Sequence, residues 1–468
     1  MGIKITFLGA AQNVTGSRYL IEANNKRVLV DCGLYQERNF KERDWLAFPV
    51  PPASLDAVLL THAHLDHCGM LPKLVRDGCS CPIYCTAATK ELAKIVLMDS
   101  AELQMEDAEF KRKRHKQEKR HGIYPEAPLY TTEDVRKCLP LFSTIGYGKS
   151  LALDNDIEAV FYDAGHILGS SCILVKVKQG EQERKILFSG DLGRTGSPIL
   201  RDPTSFEEAD YVVVESTYGN RLHENREKAA KEMADIINET DKSGGNIVIP
   251  VFAIERAQDV LYYLNKLFRE DSIPHLSSFI DSPMATKVTH VFEQHPELFD
   301  EEMSGLFSNN QSFFSLSRSY FVETIEASKA INHIKGTVII MAGSGMCTGG
   351  RIKHHLVTNI ARKESTILFV GYQAHGTLGR QIVDGEKVVR ILGKEYPVKA
   401  RIAQIDGFSA HADKDELTGW LSAIKNKPRY VFITHGEPAS AQEFAKNIEV
   451  NFGWRVAVPE YLNTFELD

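Results

Sequence analysis

Short apolar runs separated by turns open the chain. Residues 3–8, 17–22 and 27–31 each read as a strand, spaced closely enough to pair antiparallel without a crossover helix. Residues 56–61 form a continuous apolar run, the pattern of a buried strand, and a helix is predicted over 70–76. A long, polar helical pattern follows over 91–120, then strands at 157–162, 172–178 and 185–189. From about residue 210 the pattern changes. Apolar strands at 211–214, 246–250, 277–280, 337–342 and 366–370 alternate with helical stretches such as 255–268, 287–294 and 350–361. Such alternation predicts a parallel, doubly wound sheet. Near residue 400 the first pattern returns, with a strand at 401–405, a helix at 414–423 and a strand at 430–434. The chain therefore reads as one α/β domain, 1–208 and 401–468, interrupted by a second, 209–400.

Composition limits the function classes. With 468 residues the chain holds two sizeable cores; 43% hydrophobic and 25% charged residues suit a water-soluble globular protein. A formal net charge of −7 excludes a basic coat, so a polyanionic partner must meet a local positive cleft. The strongest basic run, Lys111 to His121, is balanced by upstream Glu102, Glu106, Asp107 and Glu109 and reads as a solvated helix face. The eight cysteines include Cys79-x-Cys81-x-x-x-Cys85, whose spacing suits no zinc knuckle, so they are expected as reduced thiols. The first residues read as a strand, not a signal sequence, and no run approaches about 20 apolar residues. No membrane association and a cytoplasmic location are expected.

The chemistry concentrates in His62-Ala-His64-Leu-Asp66-His67, three imidazoles and a carboxylate placed where the 56–61 strand ends. Loops at strand ends are the usual seat of chemistry in open α/β sheets. Neutral imidazole and carboxylate suit zinc, manganese or iron. His62 and His64 can project to one metal, and Asp66 and His67 to a second. Three other strands end on ligand-type residues: Asp163-Ala-Gly-His166, Ser189-Gly-Asp191 and Thr434-His435-Gly-Glu437. Each alone is weak, because a strand-end His or Asp is often a cap. Together they complete a count of three imidazoles for one metal, Asp plus imidazole for the other, and one bridging carboxylate. Asp31 ends its own strand and could orient a ligand.

The order Asp31, His62-x-His64-x-Asp66-His67, His166, Asp191 resembles the metallo-β-lactamase fold. Val213-Val-Glu215-Ser-Thr-Tyr-Gly219, Phe408-Ser-Ala-His411 and Thr434-His435-Gly-Glu437 resemble the three further motifs of the β-CASP nucleases. Pro250-Val-Phe-Ala253, Asp281-Ser-Pro-Met-Ala285, Gly343 to Arg351 and Gly371 to Arg380 are similar to other stretches of that family, so the likeness covers essentially the whole chain. The nearest likeness is to prokaryotic relatives of the nuclease subunit of the cleavage and polyadenylation specificity factor. The implied architecture is a metallo-β-lactamase αββα sandwich interrupted by an inserted β-CASP domain with a parallel, Rossmann-like sheet.

The resemblance implies that His62, His64 and His166 hold one zinc ion, Asp66, His67 and His435 hold a second, and Asp191 bridges; manganese or iron would also suit these ligands. It gives catalytic roles to Asp66, Glu215 and His411, with His411 facing the scissile phosphate. It implies a zinc-dependent ribonuclease that cuts single-stranded RNA through a hydroxide bridging the metals, leaving 5′-phosphate and 3′-hydroxyl ends. His435 leans toward RNA, since DNA-processing members tend to have Val at that place. Substrate phosphates are expected at Ser409, at the glycine-rich Gly343, Ser344 and Gly345, and at Arg351 and Arg380. A bare glycine-rich loop is otherwise a tight turn. One departure is Glu255, where relatives often carry Gly; as a helix start it is expected to matter little. A DNA-processing nuclease and a non-catalytic RNA-binding scaffold are the alternatives, the latter disfavoured because every ligand position is filled. Endonuclease or 5′-exonuclease action, RNA sequence preference and homodimer formation are left open.

Overall fold

A computed structural model describes residues 2–37, 39–118, 125–308, 314, 318–373 and 376–468. The end of the basic run, 119–121, and residues 374–375 of the Gly371 to Arg380 stretch lie outside them. The chain divides into two compact units: Met1–Ser197, Arg201–Leu222 and His411–Asp468 form one, and Pro198–Leu200 with His223–Ala410 the other.

The first unit is built on two seven-stranded sheets. In one, the N-terminal strands Ile3–Phe7, Tyr19–Ala23 and Lys26–Val30 pair antiparallel, and Ala57–Leu59 joins Lys26–Val30 in parallel. In the other, Ile157–Asp163, Ser171–Gln179 and Gln182–Phe188 form a meander. Tyr211–Glu215 and Tyr430–Thr434 extend it in parallel. Period-two alternation explains the layering. Ile173, Val175, Ile186, Phe188, Tyr211, Val213 and Phe432 face inward against Ile5, Phe7, Ile21, Val28 and Val30 of the first sheet. Their neighbours Leu174, Leu187, Val212, Val214, Val431 and Ile433 face outward. There they are covered by Leu417, Trp420 and Leu421 of the helix Lys414–Ser422 and by Phe444 and Ile448 of the helix Pro438–Phe452. A sheet buried on both faces must be apolar on both, which is why these strands read as continuous apolar runs.

The second unit holds a six-stranded sheet, all parallel where its pairs are resolved, in the order Ser319–Phe321, Ser277–Asp281, Val338–Ala342, Ile247–Pro250, Thr366–Val370, Arg401–Ile405. This is the expected doubly wound sheet. Arg401–Ile405, read from the sequence as the return of the first domain, pairs instead with Thr366–Val370, so the first unit resumes at His411. An apolar strand does not state which sheet it joins. Glu255, expected to be unremarkable, has φ +62° at the start of the helix Arg256–Arg269 and is buried. That conformation favours glycine, which gives a physical reason for the Gly expected there.

Of the long polar helix, Ala87–Glu118 is described. Lys111 pairs with Asp107, Lys113 with Glu109 and Arg114 with Glu118, each one turn apart, as a solvated face should. All eight cysteines are unbridged and buried. Cys79 and Cys81 Sγ atoms lie 3.3 Å apart, but no cysteine joins a potential metal cluster among the described residues. No helix of the described residues is long and apolar enough to cross a membrane.

Candidate metal centre

The site grows from strand ends of the first unit. Ala57–Leu59 delivers His62 and His64 in extended backbone, and the single helical turn Leu65–Cys68 then swings Asp66 and His67 round. Gly33 lets two backbone segments meet here, because a Cβ on it would lie 1.6 Å from the Asp66 carbonyl oxygen. His166 follows the strand Ile157–Asp163, Asp191 follows Gln182–Phe188, Glu215 ends its strand, and His435 follows Tyr430–Thr434 at φ +49°. His411 is placed by an antiparallel bridge to Gly193 and by the next residue's amide, Ala412 N–H, donating to Leu192 O at 2.8 Å.

These residues form two clusters that share Asp191. In the first, His62 Nε2 lies 3.1 Å from His64 Nδ1, which lies 3.3 Å from His166 Nε2. Asp191 Oδ2 stands 3.5 and 3.6 Å from the His62 and His166 nitrogens. In the second, Asp191 Oδ1 lies 3.2 Å from His67 Nε2 and 3.6 Å from His435 Nε2, which is 3.5 Å from Asp66 Oδ2. Zinc bonds of about 2.0–2.2 Å in a tetrahedron put donor atoms about 3.3–3.6 Å apart. The donor spacings therefore fit a divalent metal in each cluster, with one oxygen of Asp191 for each. Orphaned atoms agree. Asp191 Oδ1 and His435 Nε2 are buried with no hydrogen-bond partner among the described residues, which is costly unless an ion satisfies them. Burial and the His67 charge push His62 well below its ordinary range; burial and His411 do the same to His166. Burial brings His64 to about 4. All three are neutral donors, the form that binds metal.

Supporting contacts set ring orientation. Asp31 Oδ2 lies 2.7 Å from His67 Nδ1, and the Thr61 hydroxyl donates to the Asp31 carboxylate at 2.8 Å while meeting His62 Nδ1 at 3.0 Å. Asp31 was legible as a strand-end carboxylate. Thr61 was not, because a threonine in an apolar strand carries no distinguishing signal.

Asp191, Glu215 and His411 form a third close group. Here the Glu215 carboxylate already has hydrogen-bond partners. The Glu215 carboxylate accepts Leu192 N–H at 2.8 Å and Thr217 N–H at 3.3 Å, and His411 Nδ1 stands 3.1 Å away. Burial opposes charge on His411, but the carboxylates of Glu215, Asp191 and Asp66 together outweigh it and hold the imidazole up at about 9. The His411 side chain is 21% exposed, so this cationic acid is reachable from solvent.

The expected phosphate contacts lie in the second unit. Gly343, Ser344 and Gly345 follow the strand Val338–Ala342, and Ser344 Oγ takes Thr348 N–H at 3.0 Å and Gly349 N–H at 3.2 Å. The loop spends those amides on itself, as a tight turn does. The Arg351 guanidinium is tied to Asp281 Oδ1 at 2.6 Å and to the Val322 and Glu323 carbonyls, so it clamps its own unit. Arg380 Nε pairs with Asp384 one turn on, and Ser409 is buried.

Residues 13–235 match the metallo-β-lactamase superfamily model, 257–382 the Beta-Casp domain, and 395–459 the Zn-dependent metallo-hydrolase RNA specificity domain. The protein named Ribonuclease TTHA0252, of Thermus thermophilus, is 39% identical over 93% of this chain and 93% of its own. The chain belongs to the β-CASP nuclease family of the metallo-β-lactamase superfamily. Its relatives include the transcription termination factor FttA of Methanocaldococcus jannaschii, 30% identical over 99% of this chain and 72% of that protein. A solved structure of a protein of unknown function from Enterococcus faecalis V583 shares the fold, with a TM-score of 0.59, 12% identity and complete coverage of both chains. Membership makes this chain a metal-dependent nuclease, and its His and Asp clusters supply the divalent-metal ligands the family needs.

Proposed function

We propose that this protein is a zinc-dependent ribonuclease that hydrolyses phosphodiester bonds of single-stranded RNA and leaves 5′-phosphate and 3′-hydroxyl ends. The observation that carries the reading is Asp191, which offers one carboxylate oxygen to each of two ligand clusters. His62, His64 and His166 would hold one ion, and Asp66, His67 and His435 the other. Two such ions would supply a nucleophilic water at neutral pH and positive charge for the phosphate oxygens. Zinc fits the donor set, and manganese or iron would fit it too.

The remaining steps fall to the chain's own groups. Glu215 holds His411 at Nδ1 and favours its charged form, so His411 Nε2 carries a proton to the leaving oxygen. Asp66 would help to hold metal, and its negative charge also favours the charged form of His411. RNA as substrate is supported by the matched RNA specificity domain and by the relative named a ribonuclease. The test is cleavage of an end-labelled single-stranded RNA beside double-stranded DNA of the same sequence. RNA should be cut, chelator should abolish cutting, and readded zinc or manganese should restore it. Cutting of the DNA alone would replace this reading with a DNA-processing nuclease. No cutting of either by metal-loaded protein would leave a binding scaffold.

A further inference from the structure

The Glu215-Ser-Thr-Tyr-Gly219 stretch brings a hydroxyl to the second ligand cluster. Tyr211–Glu215 and Tyr430–Thr434 run parallel with Glu215 opposite Thr434, so the loops that leave them meet. There Thr217 Oγ1 lies 3.0 Å from His435 Nδ1 and 3.2 Å from the His435 carbonyl oxygen. A hydroxyl has one hydrogen, and a carbonyl oxygen only accepts. Placing that hydrogen on the carbonyl contact makes Oγ1 the acceptor from His435 Nδ1–H; no other placement puts a hydrogen in both contacts. The two contacts thereby fix a proton on Nδ1, which leaves Nε2 as the nitrogen whose lone pair can serve a metal. Nε2 is the buried, orphaned atom that faces Asp66 and Asp191.

The backbone makes the same point. His435 sits at φ +49°, a left-handed conformation that costs a residue with a Cβ about 1 kcal/mol. It is held there by its N–H to Ala10 O at 2.8 Å and by Ser216 N–H to its own carbonyl at 3.2 Å, the carbonyl Thr217 also engages. The Thr61 hydroxyl stands in the same relation to His62, with its hydrogen given to Asp31.

We propose that Thr217 is a positioning residue for the second metal site: its hydroxyl sets the tautomer and ring orientation of His435. The inference rests on the two-metal reading above. It predicts an effect on one ion only, because among the described residues the Thr217 hydroxyl hydrogen-bonds to His435 and to none of His62, His64 or His166. The Glu215–His411 pair is spared in a side-chain variant, since Glu215 is met by the Thr217 backbone N–H.

The experiment compares wild type, Thr217→Val and Thr217→Ser, each stripped and reloaded with zinc. Competition against a graded chelator series gives the affinity of each ion, and thermal unfolding of the metal-free proteins controls for the fold. Loss of an orienting partner typically weakens metal binding by about 10–100-fold. Thr217→Val is therefore expected to keep one tight ion and bind the other about 10–100-fold more weakly. Thr217→Ser should bind both as wild type does, and the metal-free proteins should unfold within a few degrees of one another. Wild-type affinity for both ions in Thr217→Val, or equal weakening of both, would overturn the proposal. If wild type itself binds fewer than two ions, the two-metal reading fails before Thr217 is in question.

Discussion

At His411 the ring faces two ways. Nδ1 is held 3.1 Å from Glu215 Oε1, and the ring centroid lies 4.4 Å from that of His166. His411 thus adjoins the proposed metal ligands without joining either of their two clusters, and its loss should be separable from metal binding. His411→Ala is expected to keep both ions and lose about 10²–10⁴-fold in turnover, the usual worth of a positioned general acid. Glu215→Gln should fall less, since it keeps the shape but not the charge. Single-turnover RNA cleavage with metal analysis of the same samples checks both, and an unchanged rate in His411→Ala would remove its role. The clusters were legible in the sequence because His, Asp and Glu at strand ends are uncommon together. Thr61 and Thr217 were not, because what matters in them is which hydrogen goes where, and that is settled only by the packed loops. The partners of Arg351 were equally hidden: an arginine beside glycines suggests phosphate, and nothing local names Asp281 and two distant carbonyls.

At the scale of elements, that clamp joins the end of the strand Ser277–Asp281 to the helix Ile352–Asn359. Buried Asp281 faces Arg351 Nη1 and His355 Nε2, each at 2.6 Å, and accepts the Ser328 hydroxyl. Burial alone would raise the Asp281 carboxyl, but His355, Ser328 and Arg351 outweigh it and hold it below its ordinary 3.8. A depressed carboxylate stabilises the fold above its unfolded pKa, and that stability is lost as pH falls through the folded value. Asp281→Asn should cost about 2 kcal/mol at pH 7, less than a fully buried pair because Arg351 is partly exposed. The gap from wild type should close as pH drops below 4. Urea unfolding of both proteins at pH 7 and pH 3.5 measures it; a gap that widens on acidification would contradict the clamp. The long apolar strands were legible because burial on both faces writes a continuous run. Ile83–Cys85 was not, since three residues beside Cys79 and Cys81 carry too little pattern. Arg401–Ile405 was found as a strand and given to the wrong sheet, because pairing is decided by neighbours that the local sequence does not name.

For the whole molecule, the first unit is closed by segments from both ends of the chain: Thr464–Leu467 pairs with Ile3–Phe7, and Tyr430–Thr434 with Tyr211–Glu215. His435 is carried to the hexapeptide His62 to His67 by that closure, so the site exists only in the folded unit. Its carboxylates, Asp31, Asp66, Asp191 and Glu215, are brought together in a chain already negative, with a net charge of −7. Such a gathering of acids is a cost that bound cations remove, which ties metal loading to the integrity of the unit. A pair of ions sharing Asp191 as a ligand would be tested most directly by the metal content of active, purified enzyme per chain, with Asp191→Ala as its companion. Two zinc-like ions in wild type, and neither held tightly in Asp191→Ala, are expected; fully active protein carrying one ion or none would contradict the claim.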